Sequence, residues 1–372
     1  MFGTLLPQKG STSGRGGEIK GLATREPHEA ALLWPGTSPE LQDALVIQKV
    51  MSCIRKLLQV ALIAVAMVAS VVAQAGGGVD RTQEYQDAYD RNCDLGTADI
   101  RALRKYRVLL VPGYLVGDQP DYFADQLAWL RSMNVESEKV SIKAGQSIAI
   151  NGPIVASAIR KSAKPVILIT HSKGSIDTLE ALRVEVALRT KVRAWISLQG
   201  VFFGSPIADM LLDENVISPA VSNLILGFLG GTRESAEGLT MRTAVARYRK
   251  FEATNTRIVR EVPSVAFVSD IDRTQGARNS TLLEFSYDLM RREGIPNDGL
   301  VPVTSAVLPG MDFVKVLGVD HIAPVMPTPR GFDRVRMTRA LLTLMIRVPK
   351  GSSPHKSGCN NGRYTSQSPS SS

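Results

Sequence analysis

Histidine and cysteine are scarce in this chain, four and three in 372 residues, and aromatic residues make up only 6% of it. No Cys-x-x-Cys pair and no His/Cys cluster occurs, so a zinc-ribbon or finger-type metal site has nothing to build on. There is no internal repeat, which excludes a solenoid or propeller. No long run of one charge sign appears either. The formal charge of +9 is partly carried by Arg55, Lys56, Lys356 and Arg363 near the two ends. What remains is a mild positive balance without the clustered basic stripe of a nucleic-acid binder. Hydrophobic residues at 44% and charged residues at 21% are globular proportions, so a chain too polar to bury a core is excluded as well.

Residues 51–75, MSCIRKLLQVALIAVAMVASVVAQA, join a Met and two positive charges to an uncharged apolar run and then to Ala73 and Ala75 in A-x-A spacing. This is the pattern of a secretory signal peptide. Residues 1–50 show no apolar period, and Met51 is expected to be the true start, with the first 50 residues a non-native extension. Cleavage after Ala75 puts the protein in the periplasm or outside the cell. The alternative is an uncleaved anchor, since the uncharged stretch 57–79 is long enough to span a bilayer. Cys53 precedes the apolar run, which argues against lipoprotein processing. Cleavage leaves Cys93 and Cys359 in a compartment that permits disulfides. Cys359, however, sits in a Gly-, Ser- and Asn-rich segment, 351–372, that reads as a disordered tail.

Between about 105 and 348, β-branched runs alternate with longer amphipathic ones, the signature of a parallel sheet with crossover helices. Strands are expected at 106–111, 139–142 (weak), 165–170, 192–198, 263–268 and 313–317. Helices are expected at 121–133, at 151–162 with Asn151 as cap and Pro153 in the first turn, from Gly174 onward, and at 332–346. The stretch between strands 192–198 and 263–268 exceeds 60 residues and is too long for a simple crossover. It predicts a helical lid over about 203–262. Its first part holds Met210, Leu211, Leu212, Val216, Ile217 and Val221, then Leu224–Leu229. That composition suits an acyl-chain pocket or transient contact with a lipid surface, and equally a helical hairpin that buries its own core. Its second part carries Arg242, Arg247, Arg249, Lys250, Arg257 and Arg260, read as a solvated helix face rather than a head-group contact.

Chemistry concentrates at Thr170-His171-Ser172-Lys173-Gly174, between the apolar strand PVILIT and an amphipathic helix. A strand-to-helix turn this tight needs small residues around the serine, and it lifts the hydroxyl above the sheet. Ser172 is therefore the candidate nucleophile, the alternative being a helix-capping serine. A nucleophilic serine needs a base. His28 precedes the apolar leader, His355 lies in the tail, and the side chain of His171 diverges from that of its neighbour, which makes His171 a packed or hydrogen-bonded turn residue. His321, just after the last strand, is left as the base. The acid that orients it is Asp298 in PNDGLVP, Asp270 directly after strand 263–268, or Asp272.

The order Ser172, Asp298, His321 and the THSKG turn resemble the α/β-hydrolase fold, a mostly parallel sheet flanked by helices. The NDGLVP segment with a D-H dipeptide 22 residues on is similar to the secreted bacterial triacylglycerol lipases. The resemblance covers about residues 106–325. It implies that Asp298 is the acid and His321 the base, and that backbone N–H groups of Tyr114 and Lys173 form the oxyanion hole. It departs from the lipases where they have His-Gly and this chain has Pro112-Gly113, and where a calcium-binding aspartate is replaced by Ala323, so no calcium is expected there. The domain is expected over 76–350. The implied activity is cofactor-free hydrolysis of carboxylic esters, with a small-molecule or lipid ester as partner and no nucleic acid. Acyl transfer or polyester depolymerisation uses the same residues, and a non-catalytic binding protein on this scaffold is the alternative outside the enzymes.

Overall fold

Five apolar strands and a short sixth pair side by side, every one parallel to its neighbours, in the order β2-β1-β3-β4-β5-β6. They are β1 Arg107–Val111, β2 Ser137–Lys139, β3 Val166–His171, β4 Val192–Leu198, β5 Ser264–Asp270 and β6 Asp312–Leu317. A computed structural model describes residues 77–91, 95–114, 119–143, 145–219, 222–223, 231–271, 283–329 and 331–346. The leader 51–75, Cys53, Cys93, Cys359, Asp272, Val221, Leu224–Leu229 and the tail lie outside the described residues. No helix among the described residues is long and apolar enough to cross a membrane.

Central strands of a parallel sheet are covered on both faces, and so read as continuous apolar runs. In β3 all six residues are buried, and in β5 all seven. Successive side chains point to opposite faces. Leu109, Val111, Leu168, Trp195 and Ala266 therefore meet helices α4 Ile148–Lys161, α5 Lys173–Val184, α8 Met241–Lys250 and α9 Glu252–Glu261. Val108, Leu110, Ile169, Ile196 and Phe267 meet α1 Thr82–Asp90, α3 Ala124–Ser132 and α11 Arg334–Ile346 on the other face. The remaining helices are α2 Thr97–Leu103, α6 Pro206–Leu212, α7 Arg233–Glu237 and α10 Glu284–Arg292.

Most expected elements fall within a few residues of the observed ones, with two differences that have local causes. Helix α4 starts a turn early, at Ile148, and Asn151 does not cap it. The Asn151 amide instead closes a loop, accepting from Lys143 N–H and donating to Lys143 C=O, which leaves Ser147 to open the helix. Pro153 then falls inside the helix beyond its first turn, where its missing N–H costs one bond from Ala149 C=O. Strand β2 sits two residues earlier than expected because Ser137–Lys139 is the segment in register with Val108–Leu110.

The edge strand β6 is closed by the N-terminal segment. Val79 C=O accepts from Phe313 N–H at 3.0 Å, and Arg81 N–H donates to Phe313 C=O at 2.8 Å. Gly78 passes so close that a Cβ there would lie 1.8 Å from Met311 O. Helices α6–α9 occupy the long stretch between β4 and β5. Within it Met241, Val245, Tyr248, Ile258 and Val262 are buried in the same core as α4 and α5, so the part from Met241 onward is a layer of the body.

Candidate active site

Strand order reverses between β1 and β3: β2 follows β1 on one side while β3 lies on the other. Loops leaving such a point at the carboxyl edge diverge and open a crevice. Pro112-Gly113-Tyr114 leaves β1 there, and Ser172 leaves β3.

Ser172 has φ 53° and ψ −127°. This is a strained conformation for a residue with a Cβ, of the kind that persists only where the surroundings over-determine it. Its N–H donates to Leu198 C=O at 3.0 Å, and Gly174 makes the sharp entry into α5 possible. A Cβ at Gly174 would lie 2.3 Å from Pro112 O and 2.6 Å from Val111 O. Gly113 is under the same constraint from above, since a Cβ there would lie 2.7 Å from the Ser172 Cβ. The β1 loop is thus pressed directly onto the serine turn.

Thr170, two residues before the serine where the turn calls for a small side chain, is accommodated by chemistry rather than by space. It is fully buried, its Oγ1 accepts the Trp195 indole N–H at 2.9 Å, and it shares a hydrogen bond with Ser175 Oγ at 2.8 Å. Ser197 Oγ donates to the same Ser175 hydroxyl. A buried indole N–H needs an acceptor, and the threonine hydroxyl supplies it.

His321 Nδ1 lies 2.7 Å from Asp298 Oδ2. The other oxygen, Oδ1, accepts from Leu300 N–H at 2.9 Å and Val301 N–H at 2.7 Å. The His321 N–H donates to Asp298 C=O at 2.9 Å, so backbone and side chain hold the two residues together. Gly299, at φ +96°, makes the Asp298 turn tight enough for this wrapping. His321 and Asp298 are 5% and 2% exposed, which keeps water from competing for the contact. Ser172 is 9% exposed. Among the described residues no hydrogen bond joins Ser172 Oγ to His321, a contact that commonly tightens only when substrate binds.

Asp270 is engaged elsewhere. Its Oδ1 accepts from Asn297 N–H at 3.1 Å, and Oδ2 lies 3.6 Å from Arg291. It therefore braces the turn that carries Asp298. Asp320 is buried with Oδ1 accepting from Ile322 and Ala323 N–H groups. Burial, and then the nearby Asp298 carboxylate, raise its pKa.

Lys173 follows the serine, and its side chain turns inward to pair with Asp177 at 2.8 Å, both fully buried. Burial lowers the Lys173 pKa and raises that of Asp177 to about 6. Among the described residues the backbone N–H groups of Tyr114 and Lys173 have no hydrogen-bond acceptor. Tyr114 Oη accepts from Ser235 Oγ at 3.0 Å and donates to Thr232 C=O at 3.3 Å, which ties the β1 loop to α7.

Three residues here were assigned no role by sequence reasoning. Tyr122, Gln199 and Asp320 are all buried around the His171–His321 contact, with Gln199 Nε2 donating to Asp320 C=O at 2.9 Å and to Ser269 Oγ at 2.6 Å. Only the D-H dipeptide gave any signal for one of them. Among the described residues no group of three or more His, Cys, Asp or Glu side chains is gathered where a metal ion would be held.

No family model matches the sequence, and no curated protein does. Solved structures do resemble it. A metagenomic carboxyl esterase aligns with a TM-score of 0.54 at 22% identity, over 65% of this chain and 76% of that one. A Bacillus licheniformis lipase in its mature form aligns with a TM-score of 0.51 at 18% identity, over 66% of this chain and 93% of that one. With an all-parallel six-stranded sheet flanked by helices and a strained serine turn at the switch point, the chain has the α/β-hydrolase fold.

Proposed function

We propose that this protein is an exported serine hydrolase that cleaves carboxylic esters with a hydrophobic acyl chain, using Ser172, His321 and Asp298. One observation carries the reading: His321 is clasped by Asp298 through a 2.7 Å side-chain hydrogen bond at the sheet edge where Ser172 is held in a strained turn. Asp298 accepts a hydrogen bond from Nδ1–H, which leaves the Nε2 lone pair free to take the serine proton. Ser172 Oγ then attacks the ester carbonyl. The N–H groups of Lys173 and Tyr114 receive the developing oxyanion, and His321 returns the proton to the leaving alcohol before activating water. No cofactor enters these steps. The esterase and lipase neighbours support ester hydrolysis. The hydrophobic acyl preference rests on the apolar residues of the stretch between β4 and β5, and export rests on residues 51–75.

The test is active-site labelling with a fluorophosphonate together with hydrolysis of p-nitrophenyl acetate and octanoate below micelle formation. Wild type should be labelled once, and Ser172→Ala should be unlabelled and lose several orders of magnitude in rate while folding normally. A folded Ser172→Ala retaining a tenth of the activity contradicts the nucleophile. A higher kcat/KM on acetate than on octanoate contradicts the hydrophobic acyl preference, since each buried methylene is worth about 0.8 kcal/mol.

A further inference from the structure

His171 is buried beneath the site, its ring centroid 4.7 Å from that of His321. Its Nε2 lies 2.8 Å from His321 O. A carbonyl oxygen only accepts, so Nε2 carries a hydrogen and donates. Burial and the neighbouring His321 hold the His171 pKa well below the ordinary histidine range, so the ring is neutral and Nδ1 is an acceptor. It takes the Tyr122 O–H at 2.5 Å. The Tyr122 oxygen in turn accepts from Gly113 N–H at 2.9 Å. Three hydrogen bonds thus run in one sense from Gly113 through Tyr122 and His171 to the backbone of His321.

The ends of this chain are the two loops that must face each other across Ser172. Gly113 immediately precedes Tyr114, and the close approach of Gly113 to the Ser172 Cβ leaves no slack. The same segment also grips the base loop directly: Phe123 N–H donates to Val325 C=O at 2.9 Å and Gln126 Nε2 to Pro324 C=O at 2.7 Å. We propose that Tyr122 and His171 are positioning residues, a buried hydrogen-bonded relay that sets the separation of the oxyanion loop and the His321 loop. The proposal rests on the reading of Ser172, His321 and Asp298 as the catalytic group. Because oxyanion contacts strengthen only in the transition state, loosening the relay lowers kcat rather than raising KM.

The variants are Tyr122→Phe, which deletes one oxygen, His171→Leu, and the double variant, assayed on p-nitrophenyl butyrate with the active fraction counted by fluorophosphonate titration. Each single variant should lose roughly 20-fold or more in kcat per titrated site, with KM within about 3-fold, given that removing a whole oxyanion donor costs about 10²–10³. The inhibition constant of a boronic acid, which forms a tetrahedral adduct on the serine, should rise in proportion. Links in one chain are not independent, so the double variant should fall within about 3-fold of the worse single one. A merely structural role lowers the titrated fraction and leaves kcat per site and boronate affinity unchanged, which overturns the proposal. So does a Tyr122→Phe enzyme with more than half the wild-type kcat, or single losses that multiply in the double variant. If His171→Leu does not fold, Tyr122→Phe decides alone. An unlabelled wild type or an active Ser172→Ala overturns the reading of the site itself, a result distinct from an undisturbed Tyr122→Phe.

Discussion

Ser172 keeps a positive φ at a cost of about 1–3 kcal/mol, and the close packing around it holds that conformation. Gly113 and Gly174 let the β1 loop and the start of α5 press against the turn where a Cβ would collide, and Thr170 anchors the end of β3 through the Trp195 indole. Thr170→Val keeps the shape and removes the acceptor. It should therefore lose about 1–3 kcal/mol of stability, the penalty for an unpaired buried donor, while Thr170→Ser loses less. Urea denaturation of the two variants checks this, and equal stability for Thr170→Val and wild type contradicts it. The two aspartates separate by the same kind of argument. Asp298 touches the His321 ring, whereas Asp270 accepts from the backbone of the turn and faces Arg291. An amide at 298 cannot stabilise an imidazolium, whereas an amide oxygen at 270 still accepts from Asn297 N–H. Asp298→Asn should lose at least about a hundredfold more in kcat/KM than Asp270→Asn. The reverse ranking would return the acid to the position directly after β5.

At the scale of elements, the stretch between β4 and β5 divides in two. Helices α8 and α9 bury Tyr248 and Ile258 against the body. The basic residues Arg242, Arg249, Lys250, Arg257 and Arg260 lie exposed on their outer faces, and the half-buried Arg247 donates to Gly238 C=O. Asp209 of α6 joins the halves, accepting the first N–H of α8 at Met241 at 3.0 Å. Burial raises its pKa from 3.8 to about 6. With the folded pKa above the unfolded one, the folded state holds the proton longer. This contribution is complete below pH 4 and is lost as pH rises through 6, up to about 3 kcal/mol. Asp209→Asn still accepts from Met241 N–H and has no charge to bury. Its stability relative to wild type should therefore increase between pH 4 and pH 7. Thermal melts at the two values measure it, and a constant difference would refute the burial argument. Where α7 meets the β1 loop, Ser235 and Thr232 hold the Tyr114 hydroxyl, so this stretch bears on the loop that lies against the Ser172 turn.

At the scale of the whole molecule, the sheet has two edges and treats them differently. The short β2 ends one side, while β6 is covered by residues 79–81, whose pairing depends on Gly78 passing Met311. Unpaired strand edges invite association with other chains, and this cover removes one. Gly78→Val would drive a side chain into Met311 O. It should lower Tm by several degrees, at about 2–4 °C per kcal/mol for a domain of this size, with kcat per labelled site unchanged because the contact lies outside the candidate site. A parallel loss of kcat would mean that the edge and the site are coupled.

Much of this was legible without coordinates. Continuous apolar runs named the central strands, because strands buried on both faces have no polar side to show. The serine turn was legible because its sterics are settled within five residues, and His321 because so few histidines exist. Asp298 needed more than the residues themselves, since three aspartates in suitable turns were open until the resemblance of NDGLVP favoured one. The helix start at Ile148 was misread because the Asn151 side chain has two uses, and only its position opposite Lys143 selects the loop over the cap. What tertiary structure alone decided is which distant residues meet: Trp195 with Thr170, Asn297 with Asp270, Gly113 with Tyr122 and Tyr122 with His171. Those pairs follow from strand order and register, which bring together residues 9 to 49 positions apart. The physical reason is that turn sterics and hydrophobic period act over a few neighbouring residues, whereas the partner of a buried polar atom is whatever the packed sheet places within hydrogen-bonding distance.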